Sequence, residues 1–334
     1  MGARHDLAGR HRSGRTMSAY ILRRLLALLP TLLFASLIVF VIVRMVPGDV
    51  VDLMLSQNDI SADTKSREDL IRALGLDQPM WFQYVHWIGN IVLRGDLGQS
   101  LWQGEPVLKM VLARMPATLS LGVLALFVAL SVALPVGVLS AIRQDTAADY
   151  VARSFSILML AVPSFWMGTM IMVFPSVWWG WSPEVRYVPF LEDPLQHISN
   201  MLVPAIILGM ALSAITMRMT RTMMLEVLRQ DYIRTAWAKG LNERLVILRH
   251  ALRNALIPVV TLIGLQAPLL IGGAVVIEQI FALPGMGLLL LDAVNQRDYP
   301  VITGVFLVVG VAVMLINLLV DLSYGLFDPK VRHR

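Results

Sequence analysis

Polar and apolar positions separate along this chain into long blocks rather than short alternations. Six uncharged runs stand out: Leu25–Val43, Ala117–Ile142, Ser154–Pro183, Ile198–Met217, Ala255–Ile277 and Pro300–Val320. A bilayer needs roughly 20 apolar residues per helical crossing, so each run predicts a transmembrane helix. The fold class expected is all-α, a polytopic membrane protein with six spans. The third run is too long for one perpendicular crossing. It ends in Trp178-Trp179-Gly180-Trp181, the pattern of an interfacial aromatic belt, and the helix is expected to stop there.

The polar segments between the runs divide the chain. Residues 1–16 form a basic tail expected to be disordered, with Met17 a second candidate start, and residues 17–46 hold the first span. Residues 47–116 are long enough for a lid, with helices around Lys65–Leu74 and Pro79–Leu93. Trp81, Tyr84 and Trp87 there are placed to lie on a membrane or a partner. Residues 117–330 carry the other five spans, and 331–334 form a short tail. Inside that five-helix core lies the longest charged stretch, 218–255. Tyr232 to Lys239 predicts a short helix, Gly240 sits where a helix ends in a left-handed residue, and Asn242 can cap the next one. Leu245, Leu248, Leu252 and Ala255 recur at spacings of three and four, which predicts an apolar stripe on one face with Arg244, Arg249 and Arg253 largely elsewhere. A short helix, a sharp turn and an amphipathic helix projecting from a membrane domain suit docking to another protein.

Composition agrees: 57% of residues are hydrophobic and 15% charged, against about a quarter charged in soluble domains. Charge also orients the chain. Of the 28 Lys and Arg, 19 fall before the first span, in 143–153, in 218–253 and after Asp328, while the opposite side holds 15 of the 23 acids. The positive-inside bias therefore places both termini and the 218–253 loop in the cytoplasm. The basic balance reflects topology and anionic lipid, and no nucleic-acid partner is expected.

Several chemistries lack their residues. No G-x-x-x-x-G-K-[ST] phosphate loop is present, the chain has no cysteine, and its six histidines show no metal spacing. No cofactor, metal or catalytic residue is expected. The six apolar runs contain no Asp, Glu, Lys, Arg or His, whereas ion-coupled carriers hold such groups at mid-membrane. That argues against a stand-alone secondary carrier or channel, the rival reading. A membrane-embedded hydrolase has no visible nucleophile–base pair. Gln266, beside Gly264 and Pro268, is the candidate pathway residue, with Ser213 and Asn317 as further polar positions. Interhelical hydrogen bonding is the other role open to each.

The charged stretch carries a resemblance. Arg234-Thr235-Ala236, three residues, Gly240, nine residues, then His250-Ala251-Leu252 is similar to the EAA loop of bacterial ABC importer permeases. Arg234 stands where that pattern has Glu, Thr235 at its first Ala and Arg253 at its Pro. The run RTAWAKG…LRHALRNALIP resembles the first permease subunit of the dipeptide, oligopeptide and nickel importers. Arg44-x-x-Pro47-Gly48-Asp49, Gly95-Asp96-Leu97-Gly98-x-Ser100 and Glu278-Gln-Ile-Phe281-Ala-Leu-Pro284-Gly285 look like further signatures of that branch, although the first two are also ordinary turn chemistry.

The resemblance implies a translocation subunit in the bacterial inner membrane. It would pair with a second, homologous permease, take its ATP hydrolysis from two ABC ATPase subunits, and receive solute from an extracytoplasmic binding protein. By the same resemblance Asp231, Tyr232, Arg234, Thr235, Ala236, Ala238, Lys239, Gly240, His250 and Asn254 would couple to the ATPases. Arg44, Pro47, Gly48, Asp49, Glu278, Phe281, Pro284 and Gly285 would lie at the outer gate and binding-protein side. Relatives that look alike in this subunit move dipeptides, longer peptides, nickel chelates, glutathione or sugars.

Overall fold

The computed structural model describes residues 6–45, 51, 64–73, 75–184 and 186–327. Among these, helices carry the fold, and β pairing is limited to one isolated bridge between Gln99 and Pro106. The helices are α1 (Asp6–Met45), α2 (Thr64–Ala73), α3 (Met80–Arg94), α4 (Val107–Ile142), α5 (Ala147–Ala161) and α6 (Ser164–Trp179). They continue with α7 (Pro194–Leu228), α8 (Asp231–Ala238), α9 (Glu243–Leu245), a π-helical segment Val246–Leu252, α10 (Arg253–Ile280), α11 (Met286–Gln296) and α12 (Tyr299–Phe327). Helix α1 begins inside the basic segment that composition sets apart as a tail.

Five helices are long and apolar enough to cross a membrane, and the pair α5–α6 brings the total to six if it counts as one bent span. That pair departs from the expected continuous third span. Val162 is extended (φ −89°, ψ 118°) ahead of Pro163, and the two helices meet at 89°. The cause is local: a residue preceding proline is pushed out of the helical region, and the proline restarts the helix at its N-cap. The expected end holds. Helix α6 stops at Trp179, Gly180 takes the left-handed cap (φ 65°), and Trp178, Trp179 and Trp181 are exposed.

The chain groups into two compact units. One comprises Ala27–Ala117 and Pro284–Ala312, the other Met1–Leu26, Thr118–Leu283 and Val313–Arg334. Pro284–Ala312 thus belongs with the lid rather than with the five-helix core.

In the lid unit, Val43, Leu97, Val107, Val111, Leu289, Val301 and Val305 share one buried cluster. Tyr84 and Trp87 of α3 pack on Phe40 of α1, with ring centroids 5.2 and 5.7 Å apart, while Trp81 stays exposed. The Gly-Asp-Leu-Gly-x-Ser run is a turn device. Asp96 Oδ1 accepts from the Gly98 amide at 2.8 Å, and the Ser100 hydroxyl donates to the buried Asp298 carboxylate. Asp298 also accepts from the Leu101 amide at 3.3 Å, and the Trp102 indole donates to the Gln296 carbonyl at 2.8 Å.

The core unit is organised by small residues. Along α4, Leu121, Ala125, Ala129, Ala133, Gly137 and Ala141 recur every fourth position and are all buried. Such a stripe lets helix backbones approach closely where lipid offers no hydrophobic drive for association. Gly209 of α7 sits against it: a Cβ there would lie 2.5 Å from the Ala125 carbonyl oxygen. Helix α7 also packs on α5 and α10.

Candidate coupling site

Helix α7 runs to Leu228, and α8 follows after Arg229 and Gln230. Helix α8 ends in a Schellman arrangement. The Leu241 amide donates to the Ala236 carbonyl at 3.4 Å and the Gly240 amide to the Trp237 carbonyl at 2.9 Å. Gly240 has φ +74°, and nothing lies within 4 Å of where its Cβ would be. The demand for glycine is therefore conformational, not steric. Asn242 caps the next helix by accepting from the Arg244 amide at 3.0 Å. Asn254 donates to the Tyr232 hydroxyl and to the His250 carbonyl, both at 2.9 Å, and so ties α8 to the start of α10. Asp231 and Arg234 form an exposed pair at 3.5 Å, of a kind that contributes little.

The loop departs from its sequence pattern in two places. The stripe of Leu245, Leu248, Leu252 and Ala255 is buried only at its last member. Val246, Ile247, Ala251 and Ala255 are buried, while Leu248 is 60% exposed. The cause is the π segment, whose i→i+5 bonding widens the turn and rotates the register. Ala236 also faces inward. It is 8% exposed and shares a cluster with Ile233, Met224, Val246 and Ile247. Its small side chain seats α8 on the chain's own core. The outward face carries Asp231, Tyr232, Arg234, Thr235, Trp237, Ala238 and Lys239.

The candidate pathway residues separate. Gln266 is 5% exposed and donates to the Thr216 hydroxyl of α7 at 3.2 Å. Ser213 is buried and bonded to the Met210 carbonyl of its own helix. Asn317 is exposed on α12. Gln266 is thus placed as an interhelical tie. Gln266→Leu is expected to lower stability by about 1 kcal/mol, the scale of membrane hydrogen bonds, with uptake per assembled complex unchanged. A thermal melt read beside uptake checks this, and lost uptake at normal stability would return Gln266 to the pathway.

Pro47, Gly48 and Asp49 lie outside the described residues. Glu278 is part of α10 rather than of an external loop. It is fully buried, and its carboxylate accepts from the Thr118 hydroxyl at 2.6 Å. Phe281 is buried in the core unit, whereas Pro284 and Gly285 belong to the lid unit. The helices extend past the apolar runs, so they carry ionisable groups that the runs lacked.

Residues 133–333 match the family model described as binding-protein-dependent transport system inner membrane component, and residues 17–122 match the model of its N-terminal part. The chain belongs to this family. It is 42% identical over 341 residues to the dipeptide transport system permease protein DppB of Escherichia coli, covering 95% of this chain and all of that one. It is equally identical over 320 residues to the oligopeptide transport system permease protein AppB of Bacillus subtilis, with the same coverage. A solved structure of the MetNI methionine ABC transporter in inward-facing conformations matches with a TM-score of 0.55 at 17% identity. It covers 67% of this chain and 99% of that one, and it supports the fold. This inner membrane component is therefore an all-α, multi-pass permease of the bacterial inner membrane.

One set of residues in the permease was missed by sequence reasoning. Asp149, at the start of α5, is fully buried and receives a two-pronged contact from Arg221 of α7, with Nε at 2.8 Å and Nη2 at 2.7 Å. Ser140 of α4 donates to the same carboxylate, and so does the Asp145 amide at 3.1 Å. Three helices meet there, and α7 leads directly towards α8. The one sequence signal was an acid in the first turn of a helix, in a segment whose two arginines are matched by two aspartates.

Proposed function

We propose that this permease is a translocation-pore subunit of an ATP-driven importer of di- or oligopeptides. It pairs with a second homologous permease, docks two ABC ATPase subunits on the face of α8, and takes solute from an extracytoplasmic binding protein. The names of its relatives support the peptide class. The count of cations supports a cytoplasmic location for both termini and α8. The observation that carries the coupling reading is the exposed Tyr232 and Trp237 on a short helix anchored from behind by Ile233 and Ala236. Large aromatics left outward on a rigid base are what a partner groove takes up. Nucleotide-driven closure of the ATPases then moves α8 as a lever on α7 and α10.

The test uses two variants of the intact complex. Trp237→Ser removes the outward anchor, and Gly240→Val forces a branched residue into φ +74°, at a cost of about 1 kcal/mol or more. Both are expected to insert at normal yield. Both should then lose the ATPases on purification, or keep them while uptake falls by about tenfold or more, the scale of an interface hot spot. Normal uptake in both would make α8 an ordinary connector.

A further inference from the structure

The lid unit contains a cavity of about 450 Å³, with Arg44 of the outer-side set in its wall. Arg44, Gln83, His86, Trp87, Asn90 and Tyr299 line it, together with smaller and apolar groups. Arg44 comes from the end of α1, and four of the others come from the inner side of α3. The Arg44 guanidinium is held in place: its carbon lies 3.5 Å from the Phe40 ring centroid, and Nε donates to Gln83 Oε1 at 3.1 Å. Two donors on these lining residues have no acceptor. Arg44 Nη1 and Trp87 Nε1 are both buried and without a hydrogen-bond partner. A buried donor left unpaired is costly, and in a native structure it calls for an explanation such as a missing ion or ligand. Among the described lining residues there is no carboxylate to meet the guanidinium.

The position of the cavity specifies the ligand. The apolar stretch of α1 is Leu26–Met45, 20 residues, one bilayer crossing by length. Arg44 therefore sits where hydrocarbon gives way to headgroups. Helix α3 has the build of a helix lying in that interface. Trp81, Val85, Val92 and Leu93 are exposed on one side, while Gln83, His86, Trp87 and Asn90 line the cavity on the other. Exposed Leu33 and Leu37, on the same side of α1 as Arg44, supply apolar surface for chains below it. We infer that this cavity binds the phosphate headgroup of an anionic phospholipid. A phosphate oxygen accepts from Arg44 and the Trp87 indole, and the acyl chains run along α1. Arginine suits this role because its fork pairs with phosphate and still stacks on an aromatic ring.

The inference is independent of which solute the permease moves. The intact complex in detergent is titrated with short-chain phosphatidylglycerol, phosphatidylcholine or dialanine, and bound ligand is counted by native mass spectrometry. One phosphatidylglycerol per permease chain is expected, retained at least about tenfold better than phosphatidylcholine. Gln83→Glu places a carboxylate beside Arg44 and should cut that retention about tenfold while leaving the melting temperature unchanged or higher. Trp87→Phe removes the indole donor at nearly the same shape and should cut it several-fold, so the inference stays testable if the first variant misfolds. Equal retention of the two lipids, or no loss in the variants, overturns it. Displacement of phosphatidylglycerol by dialanine also overturns it and makes the cavity a peptide subsite.

Discussion

Asp149→Ala is expected to destabilise the core unit by about 3–5 kcal/mol, the cost of removing one partner from a buried ion pair. Arg221 then keeps its charge with only Ser140 as a side-chain partner, since Nε also reaches Ser140 Oγ at 3.1 Å. Arg153, half-exposed and 4.0 Å from Asp149, is a second cation at the site, so it adds repulsion to Arg221 rather than compensation. The loss comes from the stranded cation rather than from the pair's own net contribution. The double variant Asp149→Leu/Arg221→Met should therefore regain most of the stability, because it leaves no charge to desolvate. A thermal or denaturant melt of the purified complex, run on both single variants and the double, decides between these terms. If Asp149→Ala melted like the wild type, the clamp between α4, α5 and α7 would have no structural role. Uptake by the double variant is the informative second readout. Restored stability without restored transport would make the clamp a positioning device for α7, and through it for α8.

What the chain's pattern reveals unaided is whatever depends on neighbouring residues. The spans follow from uncharged length. The end of α8 follows from Gly240, since only a residue without Cβ takes φ +74° at no cost. Asn242 announces its cap because a short side-chain oxygen is the usual acceptor there. The aromatic cluster Trp178–Trp181 marks the end of α6 for the same local reason.

The features that were not legible depend on distant partners. Asp149 and Arg221 are 72 positions apart, and nothing near either one names the other. The π segment turns Val246, Ile247 and Ala251 inward instead of the leucine stripe, and no residue type specifies a π turn. What sets it is the fit of Val246, Ile247 and Ala251 against Ile233 and Ala236. Ala236 shows the same limit from the other side. Smallness is visible in the sequence, but the surface that needs it is not. The bend at Pro163 was legible and was outweighed by the length of the apolar run. Proline restricts the residue before it wherever it stands, so a proline within a long run is grounds to expect a break.

The close approach of α4 and α7 makes the other large prediction. A Cβ on Gly209 would meet the Ala125 carbonyl oxygen at 2.5 Å and Val128 Cβ at 2.9 Å. The first of these is backbone in the middle of a helix, so it yields only if α4 moves as a body. Gly209→Ala should therefore cost about 1–3 kcal/mol as overpacking, larger than the roughly 0.5–1 kcal/mol that alanine gains over glycine in a helix interior. Gly209→Leu should prevent accumulation of a folded permease. The control is Gly122→Ala on α4 itself, where nothing lies within 4 Å of the new Cβ and the helix gain stands alone, so this variant should be neutral or slightly stabilised. Melting temperatures of the three variants in one detergent test the contrast directly. Equal stability of Gly209→Ala and Gly122→Ala would mean that the two helices have room to part. The fourfold stripe on α4 would then be buried without being the tight seam on which the core is built.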